Sequence, residues 1–147
     1  MYRHLLVPLD GGELSQHAVE ASIGLARKLD ASITALIVEP PAPPPQIGHG
    51  AGGFVRRMEA HDREIQAHAE RVFEAFGAQA DRAGVPFDGF YARSNRIADA
   101  ILAAAQERGC DLIVMATHVH GLFDELLAAS NTKRVMARSR LPLLVLH

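Results

Sequence analysis

The stretch LLVPLDGGELSQHAVEASIGLARKLDASITALIV, residues 5–38, decides the fold. Residues 5–9 are a short apolar run that ends at Asp10, and such a run is typical of a strand buried on both faces. Over residues 13–29 the apolar residues recur at helical spacing, and residues 32–38 are again apolar and rich in β-branched side chains. A strand, a helix and a second strand in this order predict a parallel βαβ unit with a right-handed crossover.

The alternation of strands and helices continues to the end of the sequence. Apolar spacing predicts helices over about residues 56–82, 95–109 and 124–139, and strands over residues 85–92, 112–116 and 141–146. Asn95 is the predicted N-cap of the helix that follows the third strand. Five strands alternating with four helices predict one α/β domain over residues 1–147, an open parallel sheet with helices on both faces.

Residues 40–55 interrupt this alternation. Five prolines and four glycines fall within residues 40–53. Because proline removes a backbone donor and glycine raises the entropic cost of ordering, we expect a mobile loop over about residues 40–55. This loop would leave the sheet at the carboxyl end of the second strand, where it would act as a lid over a ligand.

Composition and charge exclude several classes of protein. With 48% hydrophobic and 22% charged residues among 147, the chain has the make-up of one folded domain rather than a disordered segment. Fifteen basic and seventeen acidic residues give a net charge of −2, so we expect no nucleic-acid partner. The apolar runs are too short to span a bilayer, and the single cysteine fits a reducing compartment. With no signal-peptide pattern at the start, we expect a cytoplasmic protein without a membrane partner.

The sheet type predicts a ligand site at the carboxyl ends of the strands. Open α/β sheets bind ligands where the strand order reverses. If the first and fourth strands are neighbours, residues 8–12 and 115–121 meet at one crevice. Helices that follow both segments would offer backbone N–H groups to an anion. This geometry permits a nucleotide without requiring one.

Three blocks of the sequence resemble the universal stress protein family. They are LLVPLDGGELSQHAVEASIGLA (5–26), IADAILAAAQERGCDLIVMATH (97–118) and KRVMARSRLPLLVLH (133–147), and their order and spacing match the family over nearly the whole chain. The resemblance implies a five-stranded parallel sheet with strand order 3-2-1-4-5. It also implies a homodimer, often paired through the last strand, with a regulatory or protective role in the stress response rather than a catalytic one.

The family's ATP-binding members carry a glycine motif after the fourth strand: Gly, two residues, Gly, nine residues, then Gly followed by Ser or Thr. In this sequence those positions are Ala116, Val119, Ala129 and Ser130, so all three glycines are replaced. Glycine lets the backbone approach a phosphate closely, and the branched side chain at position 119 prevents this. We therefore expect that ATP is not bound tightly.

Other positions of the family's nucleotide site persist. Asp10 matches an acidic residue that lies against the nucleoside in binding members, and it is equally suited to cap the following helix. Ile37 matches an apolar residue that lines the adenine site. We expect no resident cofactor, with ATP or another adenine nucleotide as the alternative ligand. The candidate binding residues are Pro8, Leu9, Asp10, Ile37, Met115, Ala116, Thr117, Val119, Ala129, Ser130 and Asn131.

The remaining reactive side chains favour structural roles. His118 and His120 offer two imidazoles, whereas a metal site needs three or four ligands, so we expect exposed loop histidines and no metal. Cys110 has no adjacent histidine to activate it, which favours a structural thiol. A basic patch on the last helix is either a solvated face or a contact for phosphate or an acidic partner; it comprises Lys133, Arg134, Arg138 and Arg140.

The last strand predicts self-association. Residues 143–146 are all apolar and would form an edge strand, which a second copy could cover by symmetric pairing. We expect a homodimer through residues 141–147. Because no complete catalytic set is found, we expect no enzyme. Three alternatives stay open: a nucleotide-binding switch, a slow ATPase in the same pocket, and a dimeric adaptor that holds another protein.

Overall fold

The computed structural model describes residues 1–9, 16–41, 51–116 and 124–146. Strands and helices alternate along these residues, as the sequence predicts. They are β1 (His4–Leu9), α1 (Gln16–Leu29), β2 (Ser32–Glu39), α2 (Ala51–Arg82), β3 (Phe87–Arg93), α3 (Ile97–Glu107), β4 (Leu112–Ala116), α4 (Asp124–Arg138) and β5 (Leu143–Leu146). None of the helices in these ranges combines the length and hydrophobicity needed to cross a membrane.

The five strands form one parallel sheet in the order β3-β2-β1-β4-β5, which confirms the predicted fold and strand order. β1 lies in the centre, where Leu5 pairs with Ile33 of β2 on one side and with Leu112 of β4 on the other. The chain therefore builds the sheet outward in one direction from β1 to β3 and then crosses to the other side for β4 and β5.

Helices cover both faces of the sheet, because alternate side chains of each strand point to opposite faces. On one face the apolar side chains of α1 and α2 pack against the strands, with Val19 and Phe76 in the core. On the other face α3 and α4 do the same, with Ile101 and Val135 buried. Consecutive residues of β1 and β2 are buried, so both central strands are covered on two sides.

Helix α2 begins at Ala51, five residues before the predicted start at residue 56, so the predicted mobile loop over 40–55 is wrong for its last part. Gly52 and Gly53 lower helical propensity, but unlike proline they leave the backbone hydrogen bonds intact. The Gly53 carbonyl accepts a hydrogen bond from the Arg57 side chain at 3.2 Å. The remainder of that predicted loop, residues 42–50, lies outside the described residues.

β3 and β5 each begin two residues later than predicted, directly after a proline. Pro86 and Pro142 have no N–H and cannot donate to the ladder, although their carbonyls accept hydrogen bonds from Ile33 and Ile113. The predicted strands began too early because apolar residues precede both prolines in the sequence. Residues 13–15, the predicted start of α1, lie outside the described residues.

The predicted N-cap of α3 at Asn95 is wrong. The N-cap is Arg96, whose side chain makes no capping hydrogen bond. The Ser94 hydroxyl accepts a hydrogen bond from the Arg96 N–H at 3.0 Å and so shapes the turn that enters the helix. At the other end α3 stops at Glu107, and Gly109 takes a positive φ of 65° that favours glycine after a helix.

Candidate functional site

The strand order places a crevice at the carboxyl ends of β1 and β4, the two neighbouring strands from which the chain leaves toward opposite faces of the sheet. This is the point where ligands bind in open α/β sheets. α1 follows β1 and packs on one face, whereas α4 follows β4 and packs on the other. The structure thus confirms that β1 and β4 are neighbours, as the predicted site requires, whereas residues 10–12 and 117–121 of the two segments lie outside the described residues.

A cavity of about 40 Å³ opens at this edge between the sheet and helices α3 and α4. Residues of β1, β2 and β4 line one side of the cavity, and residues of α3 and α4 line the other. Most of them carry hydrocarbon side chains. They are Pro8, Leu9, Leu36, Val38, Ile97, Ile101, Met115, Ala116, Asn131 and Thr132. This set is called the carboxyl-edge pocket below.

Five of the predicted site residues line the carboxyl-edge pocket. They are Pro8, Leu9, Met115, Ala116 and Asn131. Ser130 is half-buried at the adjacent position of α4 and is not among the lining residues. The predicted residues Asp10, Thr117 and Val119, and the side chain of Ala129, lie outside the described part of the chain.

Ile37 does not line the pocket. Its side chain points to the opposite face of the sheet, into the core formed with α1 and α2. Leu36 and Val38, its neighbours along β2, face the pocket instead. Because β2 is apolar on both faces, its sequence contains no alternation from which the facing residues could be read. The role that the resemblance implies for Ile37 stays a prediction, and the structure places this side chain on the face of β2 opposite the pocket.

Helix α3 supplies two lining residues that the predicted site omitted, Ile97 and Ile101. They are four residues apart and so lie on one side of the helix. The spacing of these two residues in the sequence indicated that they face inward. It did not indicate that they line the pocket, because that depends on where α3 packs on the sheet. Thr132 was also missed, because a lone threonine within a helix carries no distinguishing signal.

The polar groups of the pocket are concentrated on α4. Asn131 contributes an amide and Thr132 a hydroxyl, and Thr132 is only 9% exposed. The rest of the wall consists of aliphatic and Met side chains, together with Pro8. A mostly apolar lining with a few converging polar groups is typical of small-molecule binding sites.

A second groove lies between the beginning of α3 and the last turns of α4. Ile97 lines both this groove and the carboxyl-edge pocket. The Asp99 carboxylate accepts a hydrogen bond from the Arg138 guanidinium and lies 3.1 Å from the Arg96 Nε. One member of the predicted basic patch, Arg138, is therefore held in an ion pair, whereas Lys133 and Arg140 are exposed.

Cys110 and the histidines give no reactive centre in the described residues. Cys110 is buried, and desolvation by burial, together with the nearby Asp111 carboxylate, raises the pKa of its thiol to about 11. The thiol is thus structural, as the sequence indicates. Within the ranges that the structure describes, no three His, Cys, Asp or Glu side chains are grouped so as to hold a metal ion. His118 and His120 lie outside those ranges.

A parallel sheet in the order 3-2-1-4-5, with helices on both faces and an apolar pocket where the strand order reverses, defines an open, doubly wound α/β protein. The family model described as the Universal stress protein family matches residues 1–147, and the chain belongs to that family. This result confirms the resemblance drawn from the three sequence blocks.

Two relatives match over almost the full chain. The sequence is 25% identical over 149 residues to the universal stress protein YxiE of Bacillus subtilis, and the match covers 100% of both proteins. It is 25% identical over 152 residues to the universal stress protein MJ0531 of Methanocaldococcus jannaschii, covering 99% of this chain and 82% of that protein.

Solved structures share the fold. A universal stress protein family structure from Burkholderia pseudomallei is 26% identical, with a TM-score of 0.72 and coverage of 99% of this chain and 96% of that one. A universal stress protein in complex with cAMP is 20% identical, with a TM-score of 0.68 and coverage of 99% and 97%. One from Archaeoglobus fulgidus in complex with dAMP is 13% identical, with a TM-score of 0.68 and coverage of 99% and 98%.

Proposed function

We propose that this chain is a cytoplasmic, homodimeric regulatory protein of the stress response. In this proposal, the carboxyl-edge pocket takes the nucleoside end of an adenine ligand, and ATP is not bound tightly. The observation that carries the proposal is the pocket itself: hydrocarbon walls from β1, β2, β4 and α3, with the Asn131 and Thr132 side chains on one side. The two relatives of known structure that hold cAMP and dAMP support an adenine ligand.

The chemistry of the pocket suits a purine ring. An adenine has two apolar faces and a polar edge, so burial between aliphatic side chains removes its faces from water while an amide and a hydroxyl satisfy its edge. Leu36, Val38 and Met115 supply the aliphatic surface from the sheet side. Asn131 can both donate and accept hydrogen bonds, which is what an adenine edge requires.

The same region argues against a tightly bound triphosphate. Ala116 stands at the first glycine position of the family's ATP motif and lines the pocket at the end of β4. Its Cβ occupies space that a glycine would leave for a phosphate oxygen to approach the backbone. Because the second and third glycines are also replaced, the chain lacks the residues that usually allow a backbone cradle.

The regulatory role is proposed in preference to catalysis. Among the described residues that line the pocket there is no carboxylate, imidazole or thiol, and the proposal assigns no catalytic role to the hydroxyl of Thr132. A slow ATPase in this pocket remains the alternative. It is tested by measuring phosphate release against a heat-inactivated sample of the same protein.

Thermal melting with adenosine, AMP and ATP tests the ligand part of the proposal. A ligand at one hundred times its dissociation constant stabilises the folded state by about 2.7 kcal/mol, which gives a clear rise in melting temperature. We expect adenosine and AMP to raise the melting temperature and ATP at the same concentration to raise it less.

Two matched variants locate the binding. Ala116→Leu fills the carboxyl-edge pocket and should abolish the shifts, whereas Ala137→Leu adds the same side chain at an exposed position of α4 and should keep them. If no adenine compound shifts the wild-type melting temperature, the nucleoside role is wrong. The dimeric adaptor, which acts through its surface, would then be the better description.

A further inference from the structure

A basic groove of about 250 Å³ adjoins the carboxyl-edge pocket. Its lining includes Asn95, Arg96, Ile97, Asp99, Arg134 and Arg138. The two cavities share Ile97, and Arg134 follows Asn131 by three residues on α4, so both lie on the same side of that helix. The pocket and the groove therefore lie on either side of one residue, Ile97, which is close enough for one ligand to contact both.

The charges of the groove are unbalanced. Three guanidinium groups face a single carboxylate, which leaves two positive charges in excess. Asp99 pairs with both Arg96 and Arg138. Arg134 has no ion-pair partner among the described residues, although it lies beside the other three charged groups. The groove thus presents one unengaged guanidinium and two others that share one counter-ion.

The turn before α3 fixes the position of Arg96. The Ser94 hydroxyl accepts a hydrogen bond from the Arg96 N–H at 3.0 Å, and the Ser94 N–H donates to the Glu39 carbonyl of β2 at 3.0 Å. Arg96 is therefore anchored to the sheet through its backbone. Arg134 and Arg138 are four residues apart on α4, so their side chains lie along one helix face.

We propose that this groove binds the phosphate of a nucleoside monophosphate whose nucleoside occupies the carboxyl-edge pocket, a proposal that rests on the proposed function. Guanidinium groups bind phosphate oxygens through paired N–H donors. A phosphate monoester carries a charge of about −1.5 to −2 near neutral pH, which matches the two excess positive charges of the groove. Side chains of α3 and α4 would thereby hold the phosphate where the replaced glycines no longer provide a backbone cradle.

Calorimetric titration of the full chain with adenosine and with AMP tests the groove. We expect the wild type to bind AMP about tenfold more tightly than adenosine at low salt, because charge-assisted hydrogen bonds add to the nucleoside contacts. Arg134→Gln should keep the affinity for adenosine and lose the preference for AMP. Lys133→Gln removes one positive charge at the residue before Arg134, which does not line the groove. This variant should keep the preference for AMP over adenosine.

A third variant acts in the opposite direction. Asp99→Asn removes the carboxylate that engages Arg96 and Arg138, so the preference for AMP over adenosine should increase. Added salt should reduce the preference in the wild type, because the groove is open to solvent and its charges are screened.

The outcomes separate the two proposals. Equal binding of adenosine and AMP by the wild type, or an unchanged preference in Arg134→Gln, would overturn the phosphate groove and leave the nucleoside pocket standing. If neither compound binds, the proposed ligand function is wrong and the groove proposal is overturned with it. Loss of adenosine binding in Arg134→Gln would also count against the groove, since it assigns this side chain to the phosphate alone.

Discussion

At the scale of single residues, the neighbours Cys110 and Asp111 show how position decides chemistry. Cys110 is 6% exposed and its N–H donates to the Ala105 carbonyl, which ends the turn after α3. Asp111 instead directs its carboxylate to the start of β1, where it accepts hydrogen bonds from the N–H groups of Arg3 and His4 at 2.9 and 3.0 Å. The first residue is chemically inert, and the second joins the ends of two neighbouring strands.

The Cys110 thiol should react slowly in the folded protein. Burial raises its pKa to about 11, so the reactive thiolate is scarce near neutral pH. We expect alkylation of the native chain at about pH 8 to be more than tenfold slower than that of the denatured chain, whose thiol has an ordinary pKa of about 8.5. A thiol reagent with an optical readout, added with and without denaturant, measures both rates. Equal rates would contradict the buried position.

Asp111 should make stability depend on pH. Burial raises the pKa of its carboxyl, but the backbone hydrogen bonds from Arg3 and His4 outweigh this effect and hold the pKa below its usual value of 3.8. A depressed pKa means that the carboxylate stabilises the folded state above that value, and that this stabilisation is lost as the pH falls through the lower, folded-state pKa.

Asp111→Asn should therefore lower the free energy of unfolding by about 1 kcal/mol near neutral pH, since a charged acceptor of backbone N–H groups is replaced by a neutral one. The difference from the wild type should shrink in strong acid, where the wild-type carboxyl is itself protonated. Urea unfolding at both pH values measures it. Asp81→Asn, a change at an exposed position of α2, serves as the control and should have little effect at either pH.

At the scale of elements, two glycines allow α2 to approach β3 closely. A Cβ at Gly89 of β3 would lie 2.5 Å from the Phe73 ring of α2, and one at Gly77 of α2 would lie 3.0 Å from the Phe87 ring. The rings of Phe76 and Phe87 are 4.9 Å apart between them. α2 and β3 thus pack closely because aromatic rings of each element lie against a glycine of the other.

Gly89→Ala should destabilise the protein by about 1–3 kcal/mol, because the added methyl group overlaps a ring that is packed in the core. Gly24→Ala provides the matched control: no atom lies within 4 Å of its added Cβ, and alanine favours a helix over glycine. That change should stabilise the protein by up to about 1 kcal/mol. Thermal or urea unfolding of both variants measures the contrast, and equal effects would contradict the close approach.

The sequence predicted element types better than element boundaries. Continuous apolar runs identified β1, β2, β4 and β5, whereas β3 contains Asp88 and Gly89 and was predicted from a mixed segment that follows Gly84. The starts of β3 and β5 were misplaced because a proline ends pairing without interrupting hydrophobicity. α2 was shortened because its first turn contains glycines that a helix tolerates.

The site was predictable in its location and only partly in its residues. Pro8, Leu9 and Met115 line the pocket, and their position could be predicted because the ends of β1 and β4 can be identified in the sequence. Ile37 faces away from the pocket, and this could not be predicted because β2 is apolar on both faces. The contributions of α3 and the charged groove depend on how two helices cross the sheet, and that arrangement is set by packing.

At the scale of the whole molecule, the two edges of the sheet differ. β5 forms one edge, and its Leu144 side chain is 37% exposed. Met136 of the adjacent α4 is 61% exposed. A second copy that paired with β5 would bury these apolar side chains, which supports the proposed homodimer through residues 141–147.

Leu144→Lys should weaken the proposed dimer, because two lysines would be brought to one buried interface across the symmetry axis. Val55→Lys makes a comparable change at an exposed apolar position of α2 and should leave association unchanged. Sedimentation equilibrium of the three proteins over a range of concentrations gives the dissociation constants. A wild-type mass of one chain at micromolar concentration would refute the dimer.

The opposite edge carries charges where β5 is apolar. On β3, Asp88 pairs with Arg108 at 2.9 Å and Arg93 with Asp62 at 2.7 Å, and the Arg108 guanidinium lies over the Phe90 ring at 4.3 Å. Charged side chains on an edge strand disfavour pairing with another chain, so this edge is less suited to association than the β5 edge. In the proposed homodimer the two β5 edges pair with each other, so the joined sheet of ten strands would end in a β3 edge on either side. Because both remaining edges would carry charged side chains, we expect the assembly to stop at two copies.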